Sequence, residues 1–208
     1  MQAVLTVLAA YLLGSVSFAI VVSRLMRLPD PRTYGSKNPG TTNVLRTGKK
    51  VAAVLTLAGD AGKGWLAVWL AQLFTGDPVA VALAGLAAFL GHLYPLFYRF
   101  RGGKGVATAA GALFGFDVWL GLGTLVSWGV IAGLFRYASL ASIVAALFAA
   151  FYAGWLFGAQ PVSGAVLAMS ALLVWRHREN IKRLAAGTES KLGAKKPTPP
   201  SDPSAAAR

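Results

Sequence analysis

The chain has 208 residues, of which 56% are apolar and 13% charged, and it carries a formal charge of +13. Soluble domains average roughly 25% charged residues, and the apolar residues here lie in long blocks, which leaves no room for a separate soluble domain. The absence of cysteine excludes structural disulfides, thiolate metal sites and a thioester-forming nucleophile.

Hydrophobic segments fall at roughly 3–23, 51–74, 78–98, 106–116, 118–134, 138–158 and 161–175. Blocks such as 138–159, with no charge at all, read as membrane-spanning helices. The expected fold is therefore all-α: a polytopic transmembrane bundle of about seven hydrophobic segments, some of them short. The first segment lacks the basic flank of a signal peptide and is read as one retained helix. Segment 51–74 is interrupted by Asp60 and Lys63, three residues apart and able to share a helix face. Either they pair with each other, or one of them lines a polar site. Segment 106–116 falls short of a bilayer core of roughly 30 Å and reads as a half-helix returning through 118–134. Small residues four apart, Gly111 with Gly115, Gly129 with Gly133 and Gly154 with Gly158, read as helix-packing positions. Residues 1–186 form the membrane domain, and 187–208 a basic, then Pro/Ala-rich tail expected to be partly disordered.

In a soluble protein this charge would point to nucleic acid. Here it lies between the spans. The loop 24–50, the knot 99–105, Arg136 and the stretch after 175 hold every Lys and Arg except Lys63, while the connections at 76–78, 117 and 158–161 hold none. The positive-inside rule then puts the N-terminus outside and the C-terminus in the cytoplasm, with the basic loops against anionic lipid headgroups.

Three constellations lie in those loops. Residues 34–50, "YGSKNPGTTNVLRTGKK", combine tight-turn glycines with Ser36, Asn38, Thr41 and Asn43 as hydrogen-bonding groups and Arg46 as a cation, a composition that can wrap an anion. Gly102, Gly103, Lys104 and Gly105 precede an apolar helix, so backbone N–H groups beside a Lys offer a phosphate site. The spacing is not that of a nucleotide-binding P-loop. In "WRHRENIKRLAAGTESKLG" (175–193), His177 and Asn180 fall on one helical face. Arg136, Ser139 and Ser142 add a polar stripe at the start of 138–158. Each segment taken singly also fits an ordinary basic membrane-surface loop or helix.

Together and in this order, "LLGSVSFAIVVSRL", "GSKNPGTTNVLR", "GDAGKG", "GHLYPLFYRFRGGKGVATAAG", "RYASLASI" and "HRENIKRLAAGTE" resemble the bacterial glycerol-3-phosphate acyltransferases that use acyl phosphate, the PlsY family. Thr41 departs from the alanine common there. The resemblance implies acyl transfer from acyl phosphate to the 1-hydroxyl of sn-glycerol 3-phosphate, giving lysophosphatidic acid and phosphate, at the cytoplasmic face of the inner membrane. It implies catalytic roles for Ser36, Arg46, Lys104, His177 and Asn180. Substrate contacts are expected from Asn38, Thr41, Asn43, Lys63, Gly102, Gly103, Gly105 and Ser142, and a structural role from Glu189. His177 is expected either as general base or as a positioning donor. No cofactor or metal is expected, and the functional neighbours would be an acyl-phosphate-forming enzyme and the next acyltransferase. The His-x4-Asp pair of other glycerolipid acyltransferases is missing, since Phe97 and Lys182 follow His92 and His177 at that spacing. A transporter or flippase for an organic phosphate is the rival reading, but it calls for polar sites near mid-membrane.

Overall fold

A computed structural model describes residues 1–193, and among them every regular element is helical. The helices are α1 (Gln2–Gly14), α2 (Phe18–Leu25), α3 (Thr41–Leu45), α4 (Lys50–Thr75), α5 (Pro78–Leu93), α6 (Val106–Phe116), α7 (Val118–Phe135), α8 (Ala138–Phe157), α9 (Pro161–Arg176) and α10 (Arg178–Ala185). Four of the described helical segments are long and apolar enough to cross a membrane, five if α1 and α2 count as one bent span. The two shorter apolar helices are α6 and α9.

The first segment is not the single straight helix its hydropathy implies. It bends by 45° between α1 and α2. The Ser15 hydroxyl donates to the Tyr11 carbonyl at 2.9 Å and accepts the Leu96 N–H at 3.2 Å, and Ser17 is extended. Short hydroxyl side chains offer the backbone partners other than its own ladder. The Val16 carbonyl, released by the break, accepts from Lys63 Nζ at 2.6 Å.

Helices at the centre approach through glycine. A Cβ on Gly14 would stand 2.1 Å from the Ala88 carbonyl oxygen of α5, and one on Gly111 would stand 1.8 Å from that of Ala61 on α4. Gly115 also meets α4, at Val68. The other two expected packing pairs do not pack: Gly129, Gly133, Gly154 and Gly158 have no described neighbour where a Cβ would be. The reason is their position, because α7 is the least buried span and pairs with α8 at the edge of the bundle. Their exposed neighbours, Val126, Leu134 and Phe151 among them, form a lipid-facing surface. The helix α6 joins α7 through Asp117 alone, whose carboxylate caps α7 by accepting from Trp119 N–H (2.8 Å) and Leu120 N–H (2.9 Å).

The connections after α2, α5, α7 and α9 meet at one end of the bundle. Residues past the expected domain boundary at 186 belong to this end as well. Leu192 N–H donates to the Arg136 carbonyl at 2.6 Å, and Glu189 accepts from Ser139 Oγ at 2.7 Å. The rest of the expected tail, 194–208, lies outside the described residues.

Candidate active site

The loop between α2 and α4 is organised from within by Asn43. Its buried Oδ1 accepts the Ser36 N–H at 3.1 Å, and its Nδ2 donates to the carbonyls of Pro31 (2.7 Å) and Tyr34 (3.2 Å). Asn43, a substrate contact by the family resemblance, instead holds the loop together in this structure. Gly35 turns there at φ 58°, in the region a side chain disfavours, and a Cβ would stand 2.3 Å from Asn43 Oδ1. The result is an exposed Ser36 hydroxyl with no protein partner among the described residues, beside the Arg46 side chain, which packs on Gly35. Asn38 lies against Gly40. The Thr41 hydroxyl, at the first position of α3, is buried without a partner among the described residues.

The glycine loop is clamped on both sides. Arg99 and Phe100 take left-handed φ (54° and 58°) and reverse the chain. Gly102 N–H then donates to the Leu93 carbonyl (3.2 Å) and Gly103 N–H to the His92 carbonyl (3.1 Å). From the other side, Arg176 Nη2 donates to the carbonyls of Gly102 (3.1 Å) and Gly103 (3.0 Å). The first two glycines are therefore spent on the fold. The N–H groups without an acceptor among the described residues are those of Lys104, Gly105, Val106, Ala107 and Thr108, around the N-terminus of α6. This is the position at which a helix favours an anion. Arg176, read from sequence only as a neighbour of His177, is the residue that locks the loop.

Lys104, Asn180, Glu189 and Ser139 form a chain of hydrogen bonds. Lys104 Nζ donates to Asn180 Oδ1, Asn180 Nδ2 donates to Glu189 Oε1 at 2.6 Å, and Arg183 Nε donates to Glu189 Oε2 at 2.7 Å. Burial pushes the Lys104 ammonium down to about 8. Glu189 opposes that shift, while Arg183, Arg176 and Arg46 reinforce it. Burial raises the Glu189 carboxyl, but the bonds from Ser139, Asn180 and Arg183 together outweigh it, so its pKa stays below the usual value. Ser142, one turn beyond Ser139, is engaged elsewhere: it donates to the Ala138 carbonyl (2.8 Å) and accepts from Trp128 Nε1 (3.1 Å).

His177 sits between α9 and α10 with its Nδ1 2.8 Å from the Leu173 carbonyl oxygen. A carbonyl only accepts, so Nδ1 carries the proton and Nε2 the lone pair. Burial lowers its pKa to about 4, helped by Lys104 and Arg176, so the ring is neutral at pH 7. Lys63 does not reach this opening. Its side chain is 1% exposed and pairs with Asp60 at 2.8 Å. Arg32, Lys37, Arg101 and Arg176 line an open cleft of about 550 Å³ that borders the loop at Gly102.

A family profile described as glycerol-3-phosphate acyltransferase matches residues 4–187. The chain belongs to the glycerol-3-phosphate acyltransferase family. It is 62% identical over 201 residues to the glycerol-3-phosphate acyltransferase of Burkholderia pseudomallei (strain K96243), covering 95% of this chain and 99% of that one. The acyltransferase of Ralstonia nicotianae is 63% identical over 192 residues, covering 90% of this chain and 93% of its own. Two crystal structures of PlsY (YgiH), an integral membrane glycerol 3-phosphate acyltransferase, superpose on it. The glycerol 3-phosphate form has TM-score 0.88 and 39% identity, covering 93% of this chain and 96% of that chain. The lysophosphatidic acid form has TM-score 0.85 and 38% identity over the same shares. The chain is thus an integral membrane acyltransferase of phospholipid synthesis, and the transporter reading falls away.

Proposed function

We propose that this acyltransferase takes its acyl group from acyl phosphate and delivers it to the 1-hydroxyl of sn-glycerol 3-phosphate, releasing phosphate and lysophosphatidic acid without an acyl-enzyme. One observation carries this reading. Lys104 and the unspent N–H groups of Lys104 to Thr108 stand beside Arg46, Arg176 and Arg183, and beside a neutral His177 whose Nε2 has no partner among the described residues. Acyl phosphate is a mixed anhydride and needs no further activation. The protein has to hold two phosphate-bearing molecules together, which can contribute roughly 7–11 kcal/mol, and to stabilise charge on the carbonyl oxygen and the leaving phosphate. Lys104, Arg46 and the start of α6 take the phosphates. Ser36, whose exposed hydroxyl has no partner among the described residues, takes the acceptor.

The proton has two possible destinations, and their basicity separates them. A phosphate oxygen titrates at about pH 6, whereas His177 is held at about 4. With burial holding the ring low, the phosphate is the better base. In this mechanism His177 Nε2 accepts a hydrogen bond from the attacking hydroxyl and aims it, and the leaving phosphate takes the proton. The N-terminus lies outside and the basic loops in the cytoplasm. Donor arrives from an acyl-phosphate-forming enzyme and product leaves to the next acyltransferase, both along the inner membrane.

Purified protein should release phosphate from palmitoyl phosphate only when glycerol 3-phosphate is present, and should release no thiol when given palmitoyl-coenzyme A. Acceptor-independent phosphate release, or turnover of the thioester alone, would sink the proposal. The pH dependence follows from Lys104. Its charge is complete well below pH 8 and lost above it, and kcat/KM reports the free enzyme. The kcat/KM for acyl phosphate should therefore fall tenfold per pH unit above about 8. Lys104→Arg should remove that alkaline limb, and a wild-type profile flat to about pH 10 would take the ammonium out of the chemistry.

A further inference from the structure

Beneath the glycine loop lies a buried ionic cluster that the mechanism above does not use. Lys63 Nζ contacts Asp60 Oδ1 at 2.8 Å, the Val16 carbonyl oxygen at 2.6 Å and His92 Nδ1 at 3.0 Å. An ammonium has three N–H donors, and this geometry uses all three. His92 Nδ1 is 3.5 Å from Asp60 and closer to Lys63, so it accepts from Lys63, and the ring proton resides on Nε2. The Nε2 edge abuts Gly103, where a Cβ would stand 2.3 Å away.

The same histidine therefore meets the loop twice. Its ring supports Gly103 from below, and its carbonyl accepts the Gly103 N–H. Arg176 closes the other face. The cluster also ties in the break of the first span. Phe18 N–H lies 3.4 Å from Asp60 Oδ1, and Tyr11 Oη donates to the Tyr94 carbonyl at 2.7 Å, next to where the chain turns toward the loop. A buried ion pair contributes little net stability, and apolar side chains of similar volume often do as well or better. Charges inside a span are costly and call for another role. What this trio delivers is placement.

Resting on the acyl-phosphate reading, we infer that Asp60, Lys63 and His92 are a positioning relay that sets the Gly102–Gly103 segment, and with it Lys104 and the free N–H groups of α6, against the donor phosphate. Lys63 acts through His92 and the loop and does not touch substrate.

The test uses the full-length protein in detergent. The variants are the charge-free double Asp60→Leu/Lys63→Met, which leaves no orphan charge, His92→Gln, and the triple. Hydrogen exchange read on peptides covering 99–106 should accelerate at least about tenfold in each variant. The kcat/KM per folded enzyme should fall about 100-fold, as for a displacement of about 1 Å. The triple should be no worse than either parent, because parts of one unit are not additive. Unchanged exchange in this segment, wild-type kcat/KM or additive losses would overturn the relay. Should the double fail to fold, His92→Gln decides by the same two readouts. A wild-type enzyme inactive on palmitoyl phosphate would count against the acyltransfer reading alone, and exchange would still decide the relay.

Discussion

Lys104→Met should lower kcat/KM by about three orders of magnitude and leave the thermal midpoint in detergent unchanged or raised. Losing one preorganised donor at developing charge costs about 10²- to 10³-fold, and here the donor is also the cation nearest the free N–H groups of α6. The fold does not depend on it. Burial holds the ammonium down to about 8, and Arg46, Arg176 and Arg183 press in the same direction. Removing the charge therefore relieves a cost. Glu189 keeps Arg183 and Ser139 as partners, so no carboxylate is orphaned. Methionine preserves the apolar stem. Steady-state kinetics with a parallel unfolding curve checks this. Wild-type kinetics would remove Lys104 from the site, and a collapsed midpoint would make its role structural.

Gly103→Ala should be nearly as damaging for a different reason. A methyl there would stand 2.3 Å from His92 Nε2 and 2.9 Å from the Pro39 carbonyl oxygen, with α5 on one side and the 34–46 loop on the other. Overpacking of this kind costs about 1–3 kcal/mol, which a bundle of this size survives. The loop must shift, however, and moving Lys104 by about 1 Å is expected to cost about 100-fold in kcat/KM. Gly129→Ala is the matching control. It lies inside α7 with no described neighbour within 4 Å, so it should gain up to about 1 kcal/mol of helix stability with full activity. Equal behaviour of the two alanines in the kinetic assay would show that the loop is not clamped as described.

The two predictions rest on different kinds of information. Lys104 stands out in the sequence because glycines flank it ahead of an apolar helix and because the motif occurs in order with the others of the family. The clamp on Gly103 was not, because its partners come from three other elements. Asn43 and Lys63 show the same limit. Both are polar residues in motif-like surroundings, and both read as substrate contacts. Asn43 instead spends its amide on Ser36, Pro31 and Tyr34, and Lys63 spends its ammonium on Asp60, Val16 and His92. Ser142 is committed to Ala138 and Trp128. A sequence shows which donors and acceptors exist, and only their neighbours show which remain free.

By itself, then, the sequence determined that this is a helical membrane protein with its positive charge in alternate loops, and where its short polar motifs lie. Those properties follow from run length and local composition, which the bilayer reads directly. The tertiary structure decided the bend in the first span, the two glycine pairs left facing outward, and the division of the glycine loop into a clamped half and a half whose N–H groups have no acceptor among the described residues. Each of these turns on which distant group takes a given N–H or carbonyl. Lys63 meets Val16 across 47 residues and Arg176 meets Gly103 across 73, separations that no local pattern encodes.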